Sequence, residues 1–249
     1  MTENSKEKFR GLAHGEILLA GGMTVNIPAS ERFRMIRAKI DRYNLSHNNS
    51  LRFITVTSAV AQEGKSVVAV NLARALSFDR RGRTLIIDCD LRRPTVHKFF
   101  GLPLEPGLSN YLYEQRPLSE VIRNVHTRTD VISAGSLLSD PAQAVERPEL
   151  LTLFNEVRKT YQYVIIDCPP VLLCPEPISL SLLSDKTLLV ARAWKTERSL
   201  VADAVETIGK SRIFGVVMND AEDTAKEYLD YGYYSSHQPQ SNAVKKRKL

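Results

Sequence analysis

The 249-residue chain is 43% hydrophobic and 25% charged, which supplies enough apolar material for one sizeable core. No apolar run reaches the roughly 18 residues of a membrane-spanning helix, and the charged segment 1–9 does not resemble a signal peptide, so we expect a cytosolic protein. The formal net charge is +6, and segment 245–248 contributes four of the positive charges. Because aromatic and basic residues are not interleaved, this charge favours an anionic membrane face or an acidic partner over nucleic acid.

Apolar runs alternate with segments of helical periodicity along the chain. The runs predict strands over residues 51–57, 84–88, 130–133, 163–167, 186–192 and 213–218. The periodic segments predict helices over residues 65–77, 148–160 and 199–211. Strands that are apolar throughout and separated by helices indicate a mostly parallel sheet with helices on both faces. We therefore expect an α/β domain over residues 30–220, between a polar N-terminal arm (1–29) and a C-terminal tail rich in tyrosine and basic residues (221–249).

A phosphate-binding pattern follows the first predicted strand. The segment Ser58-Ala-Val-Ala-Gln-Glu-Gly-Lys-Ser66 places Gly64, Lys65 and Ser66 at the turn from strand to helix. Backbone N–H groups at such a helix start attract phosphate, Lys65 can reach the terminal phosphates, and Ser66 can ligate Mg²⁺. The full P-loop pattern has glycine where this chain has Ala59, so an ordinary strand-to-helix turn is the alternative for this segment alone.

Two further predicted strands end in aspartates. The segment 85–94 brings Asp88 and Asp90 to the edge of the sheet that carries the P-loop, and the segment 163–170 ends in Asp167, as a Walker B strand does. Carboxylates beside a nucleotide hold a metal ion or move a proton. Three strand-end motifs in this order predict a doubly wound, P-loop NTPase-like fold that binds a nucleotide.

Several of these motifs are typical of one family. Ile86-Ile-Asp-Cys-Asp-Leu-Arg92 has the form apolar-apolar-Asp-x-Asp-x-Arg, and three further segments follow it: Glu105-Pro-Gly-Leu108, Asp140-Pro-Ala and Gly215-Val-Val-Met-Asn219. With these motifs the chain resembles the bacterial tyrosine autokinases (BY-kinases) of capsule and exopolysaccharide assembly, over roughly residues 28–235.

The resemblance implies an ATP-dependent protein-tyrosine kinase that uses Mg²⁺. It implies catalytic roles for Lys65, Asp88 and Asp90, with Asp88 as the base or aligner of the tyrosine hydroxyl, although spacing alone allows either aspartate. The expected ATP contacts are Gln62, Glu63, Gly64, Lys65, Ser66, Val67 and Asn219. The expected metal site consists of Ser66, Asp90 and Asp167, the last two holding Mg²⁺ or its water molecules.

A charged segment near the N-terminus fits the family's Glu-x-x-Arg-x-x-Arg helix. Its charged residues are Glu31, Arg34 and Arg37, and their spacing of three puts them on one helix face. The resemblance implies that this face contacts the neighbouring subunit of a homo-oligomeric ring. A solvated charged stripe is the alternative.

Four of the nine tyrosines crowd the polar C-terminal segment: Tyr228, Tyr231, Tyr233 and Tyr234. The family's autophosphorylation cluster lies at this place, which implies that neighbours in the ring phosphorylate these residues in trans. An aromatic patch that docks onto the core is the alternative. The resemblance also implies a partner, a membrane-spanning adaptor of the polysaccharide chain-length type. Because this chain contains no span, we expect a separate adaptor whose cytoplasmic tail keeps the kinase peripheral at the inner face of the membrane.

The P-loop departs from the family pattern. The family commonly has proline and glycine where this chain has Ala61 and Gln62. A loop poor in glycine has less access to positive φ, and its backbone approaches phosphate less closely. Two other classes therefore stay open: a switch-type ATPase of the cell-division and partitioning type, which hydrolyses ATP without forming phosphotyrosine, and a catalytically weak nucleotide-binding scaffold.

Overall fold

The structure is a computed structural model that describes residues 18–19, 23–24, 27–78 and 82–220, and within these ranges the side chains from residue 31 onward. The strands are β1 (Leu18–Leu19), β2 (Met23–Thr24), β3 (Phe53–Ser58), β4 (Arg83–Asp88), β5 (Ile122–His126), β6 (Thr129–Ile132), β7 (Tyr161–Asp167), β8 (Lys186–Arg192) and β9 (Ile213–Asn219). The α-helices are α1 (Ile27–Ser46), α2 (Lys65–Ser77), α3 (Val96–Phe100), α4 (Leu108–Glu114), α5 (Leu118–Val121), α6 (Pro141–Glu146), α7 (Pro148–Thr160), α8 (Glu176–Leu183) and α9 (Arg198–Ile208).

Seven of the strands form one sheet in the order β5-β6-β4-β7-β3-β8-β9. All neighbouring strands in it are parallel except β5 and β6, which are antiparallel. The central strands β4, β7 and β3 are buried along nearly their whole length. Strands covered on both faces need apolar residues at successive positions, which is the pattern that the sequence shows. The predicted mostly parallel sheet is confirmed.

Successive residues of the central strands belong to cores on opposite faces of the sheet. Phe53 and Ile166 pack on one face, together with apolar residues of α7. Ile54 and Ile165 pack on the other face, together with α1 and α2. Because each fully buried side chain of this size contributes about 1.5–3 kcal/mol, both helical layers are held firmly on the sheet. The predicted doubly wound arrangement, with helices on both faces, is confirmed.

The predicted elements differ from the observed ones mainly at their ends. The helix predicted over residues 199–211 ends at Ile208, because Gly209 has φ 91 and starts a short 3₁₀ turn. The edge strand β5 was not predicted, since Arg123 and Asn124 interrupt its apolar pattern. None of the helices in the described ranges is both long enough and apolar enough to cross a bilayer.

The strand order brings the three sequence motifs to one edge of the sheet. Asp88 at the end of β4 pairs in register with Asp167 at the end of β7. Asp167 also pairs in register with Val56 of β3, two residues before the strand ends. The carboxyl ends of β4 and β7 therefore lie beside the loop that connects β3 to α2.

Candidate active site

The loop between β3 and α2 contains two residues with left-handed backbone. Gly64, which precedes the first residue of α2, has φ 87 and ψ 22. A Cβ atom at Gly64 would lie 2.0 Å from Nδ2 of Asn219, so a side chain there would displace Asn219. Gln62 has φ 65, a conformation that costs free energy for any residue except glycine. The loop thus adopts positive φ at the position where the resemblance leads one to expect a glycine.

The side chain of Glu63 fastens this loop to the body of the protein. It is only 2% exposed, and its Oε2 accepts a hydrogen bond of 2.9 Å from the N–H of Val60. Its Oε1 accepts a hydrogen bond from the hydroxyl of Thr196, beyond the end of β8. Nδ2 of Asn219, the last residue of β9, donates to the backbone carbonyl of Glu63 at 2.9 Å. The ends of β8 and β9 therefore hold the loop in shape.

Lys65 lies at the acidic edge of the sheet. Its Nζ is 2.9 Å from Oδ2 of Asp90, and the side chains are only 15% and 3% exposed. Burial opposes the charge of Lys65, but the carboxylates of Asp167 and Asp90 outweigh burial and raise the pKa of the lysine. Lys65 is therefore a fixed cation at the first position of α2, where phosphate can replace the carboxylate of Asp90.

Asp88 is fully buried, and its carboxylate is bonded to the backbone. Its Oδ2 accepts hydrogen bonds of 3.0 Å from the N–H groups of Thr95 and Val96, and its Oδ1 accepts one of 3.2 Å from the N–H of Asp90. Burial raises the pKa of Asp88 well above its usual range, and the nearby Asp167 raises it further. Asp88 therefore shapes the turn that carries Asp90, and it holds a proton more tightly than an exposed aspartate does.

Asp167 is also fully buried, and among the described residues neither of its oxygens has a partner at hydrogen-bonding geometry. Burial raises the pKa of Asp167 to about 7, against the opposing effects of Lys65 and the Ser66 hydroxyl. Lys65 offsets part of the cost of burying this charge, but a buried carboxylate whose oxygens accept no hydrogen bond of good geometry is still costly. A cation next to Ser66 would satisfy it.

The donor set fits Mg²⁺ shared with a nucleotide. Ser66, Asp90 and Asp167 supply one hydroxyl and two carboxylates, and Mg²⁺ usually binds one or two carboxylates together with phosphate oxygens and water. In the part of the chain that the structure describes, no three His, Cys, Asp or Glu side chains form a group that could hold a metal by themselves. Phosphate oxygens of a nucleotide would complete the coordination of Mg²⁺ held by Ser66, Asp90 and Asp167.

A cavity of about 500 Å³ opens over the start of α2. Lys65, Ser66 and Asp90 give it a polar wall, and Phe99 and Leu173 are among the apolar residues that line it. Two arginines from the segment after β4 also line it, Arg92 and Arg93. Cationic, hydroxyl and carboxylate groups next to apolar side chains suit a phosphate chain that reacts beside an aromatic group.

Comparisons with known proteins identify the family of this chain. The sequence model of the AAA domain family matches residues 51–209. Over 211 residues the chain is 32% identical to the tyrosine-protein kinase YwqD of Bacillus subtilis, and the match covers 83% of this chain and 86% of that protein. The chain belongs to the bacterial tyrosine-protein kinases.

Solved structures of other proteins are similar to this one in fold. The kinase domain of the Escherichia coli tyrosine kinase ETK superposes on this kinase with a TM-score of 0.72 at 25% identity, covering 88% of this chain and 86% of that one. A ParA family ATPase from Chlorobium tepidum superposes with a TM-score of 0.54 at 17% identity, covering 72% and 78%. The second likeness shows a shared fold alone.

Most of the predicted site residues of this kinase come together around the P-loop. Six of them line the cavity: Gln62, Gly64, Lys65, Ser66, Val67 and Asp90. Asp88 and Asp167 are fully buried beside it, and the Glu63 side chain and Asn219 hold the loop. Their roles toward ATP and Mg²⁺ stay predictions.

The predicted interface residues differ in their contacts within the monomer. Nη1 of Arg34 pairs with Oε1 of Glu31 at 2.5 Å on the exposed side of α1. Arg37 instead turns inward, where its Nη1 donates to the backbone carbonyl of Ala75 at 3.3 Å and its Nε lies 3.5 Å from Asp41. An intersubunit role for these residues stays a prediction, and Arg37 already has a role within the monomer. The four tail tyrosines lie outside the described residues.

Two side chains that contact residues of the candidate site had not been predicted. Thr196 bonds Glu63 of the P-loop, and Glu176 pairs with Arg92 of the cavity. Both partners are far away in sequence, so no local pattern could have indicated either contact.

Proposed function

We propose that this kinase transfers the γ-phosphoryl group of ATP to tail tyrosines of a neighbouring copy in a homo-oligomeric ring. The acceptors would be Tyr228, Tyr231, Tyr233 and Tyr234. The observation that supports this most directly is the cavity, in which a lysine, a hydroxyl and a carboxylate share walls with apolar side chains. A tyrosine ring fits against such apolar groups while its hydroxyl meets the phosphate.

Binding and alignment account for most of the chemistry of phosphoryl transfer. Lys65 and the backbone N–H groups of residues 63–66 would hold the β- and γ-phosphates, since the P-loop directs them to the start of α2. Ser66, Asp90 and Asp167 would hold Mg²⁺, which when bound neutralises phosphate charge. Asn219 would hold the P-loop through its hydrogen bond to the Glu63 carbonyl and would lie near the base of the nucleotide.

In the transfer step the tyrosine oxygen forms a bond to the γ-phosphorus, the bond from that phosphorus to the bridging oxygen of ADP breaks, and a carboxylate takes the hydroxyl proton. Asp88 is our choice for this base, because it ends β4 at the acidic edge of the sheet, and burial raises its pKa and so makes it a stronger proton acceptor than an ordinary carboxylate. Its oxygens must first leave the N–H groups of Thr95 and Val96. We expect Asp88→Asn to abolish transfer while ATP still binds, and Asp90→Asn to weaken Mg²⁺-dependent ATP binding.

We further propose that the kinase regulates capsule or exopolysaccharide synthesis and export. It would do so at the inner face of the membrane, where the cytoplasmic tail of a membrane-spanning adaptor would bind it. The family resemblance supports this assignment. Each phosphate brings about −1.5 to −2 charges at neutral pH, so phosphorylated tails on adjacent subunits would repel one another and favour dissociation of the ring.

The test mixes a Lys65→Met chain with the parent chain, ATP, Mg²⁺ and an adaptor-tail peptide. Lys65→Met removes the phosphate contact, so only a neighbour can label the variant chain. We expect mass spectrometry to find phosphate on the four tail tyrosines of the variant chain, and replacement of all four by Phe to remove most of the label. Lys159→Met is the matched control, because Lys159 is 69% exposed and pairs with Glu156 on α7.

ATP turnover without phosphotyrosine would identify a switch-type ATPase instead. Nucleotide binding without turnover or transfer would identify a scaffold.

A further inference from the structure

Glu176 is a buried acid next to the cavity. It is the first residue of α8, it is 1% exposed, and its Oε1 accepts a hydrogen bond of 2.7 Å from Nε of Arg92. Among the described residues its other oxygen, Oε2, has no hydrogen-bond partner. The negative charge of this buried side chain is therefore compensated mainly by Arg92, with help from the start of α8, where a helix favours an anion.

The pair joins two segments that flank the cavity. Arg92 follows β4 and Glu176 follows β7, and the two residues are 84 positions apart in sequence. Arg92 lines the cavity together with Lys65, Ser66 and Asp90. Its side chain is 42% exposed, whereas that of Glu176 is 1% exposed, so the acid lies inside and the guanidinium lies at the cavity.

The geometry of arginine makes this contact directional. A guanidinium is planar and rigid, so a carboxylate fixed at Nε also fixes the plane in which the two Nη groups lie. Among the described residues, Glu176 is the one hydrogen-bond partner of the Arg92 side chain. Both Nη groups thus stay available to an anion in the cavity.

We propose that Glu176 is a positioning residue that holds the guanidinium of Arg92 against the phosphoryl group in transfer. Charge spreads over the equatorial oxygens of that group in the transition state, and a pre-oriented cation stabilises it there. The inference rests on the proposed use of this cavity for phosphoryl transfer.

The test compares Glu176→Gln, Arg92→Lys and the double variant. Glu176→Gln keeps the shape and an acceptor oxygen but removes the charge that orients Arg92. We expect kcat for tyrosine phosphorylation to fall at least tenfold in Glu176→Gln, with the Kd for ADP within twofold of the parent value. Arg92→Lys should lower kcat by a similar factor. The double variant should have a kcat little lower than that of either single variant, because both changes disrupt the same contact between Glu176 and Arg92.

The matched control is Asp130→Asn. Asp130 pairs with Arg83 at 2.6 Å and is only 6% exposed, but this ion pair joins β4 and β6 away from the cavity. We expect Asp130→Asn to lower Tm and to leave kcat per folded molecule unchanged. A kcat for folded Glu176→Gln equal to that of the parent or of the control would overturn the proposal.

Two further measurements keep the result decisive. If Glu176→Gln does not fold, Glu176→Asp replaces it, since the shorter acid keeps the charge but withdraws it from Arg92, and the same fall in kcat is expected. If the parent makes no phosphotyrosine, the proposed function fails, and calorimetry of ATP against ADP then tests Glu176 separately. A preference of the parent for ATP that Glu176→Gln abolishes supports positioning at the γ-phosphate, and an unchanged preference refutes it.

Discussion

Replacing Gln62 by glycine should stabilise the protein. Gln62 holds φ 65 with an exposed side chain, so the substitution removes backbone strain and little packing. Left-handed backbone costs a non-glycine residue about 1–2 kcal/mol, and the greater entropy of glycine in the unfolded chain takes back about 0.4–1 kcal/mol. The expected net gain in the free energy of unfolding is about 1 kcal/mol, which for a domain of this size raises Tm by about 2–4 °C.

Thermal and urea unfolding without nucleotide measure this gain. Gln62→Ala is the matched control, because it removes the same side chain but keeps the strain, and it should unfold close to the parent. Gln62→Val should unfold earlier, since a β-branched residue tolerates this conformation least. A Tm for Gln62→Gly at or below that of Gln62→Ala would refute the assignment of strain to this residue.

Three further predictions concern Asp167, Asn219 and the arginines of α1. Burial raises the pKa of Asp167 from 3.8 to about 7, so between about pH 4 and about pH 7 the native state binds more protons than the unfolded state. The free energy of unfolding should therefore fall as pH rises from about 4 to about 7. Urea titrations with EDTA measure this fall, and Asp167→Asn should flatten it. Asn219→Asp sets an acceptor against the P-loop carbonyl in place of a donor, so unfolding should become easier by about 1–3 kcal/mol and ADP titrations should show weaker binding. Arg37→Ala should cost about 1 kcal/mol of monomer stability in denaturant titrations, whereas Arg34→Ala should cost less than about 0.5 kcal/mol. An Arg37→Ala variant as stable as the parent would contradict the contact of Arg37 with Ala75. Light scattering on both variants measures the size of the oligomer.

The sequence predicted those parts of the fold that depend on continuous local patterns. Strands β3, β4 and β7 are apolar at successive positions because both of their faces are buried, and this pattern alone located their ends to within two residues. The edge strand β5 escaped because Arg123 and Asn124 lie in it, as a half-exposed strand allows. Local patterns thus carry information about central strands and less about edges.

The candidate site could likewise be predicted only where it depends on local sequence patterns. The residue types around Gly64 and Asp90 predicted a phosphate and metal site, and the structure brings both residues to the cavity over the start of α2, while their roles stay predictions. The ion pair of Glu176 with Arg92 joins segments that meet only after the sheet has formed, so it has no local signature. The left-handed backbone of Gln62 has no sign in the residue type itself, since glutamine rarely adopts positive φ; only the family's usual glycine at this position indicates it.

The ion pair between Lys65 and Asp90 would make the proposed binding of phosphate and of a divalent cation interdependent. A nucleotide would compete with Asp90 for the lysine, and a cation would compete with the lysine for Asp90. Either ligand that arrives first frees the group that the other one needs, so each should raise the affinity for the other by the same factor, as reciprocal linkage requires. Free ATP and free Mg²⁺ should accordingly be weak ligands, and the protein should discriminate in favour of the complex of the two.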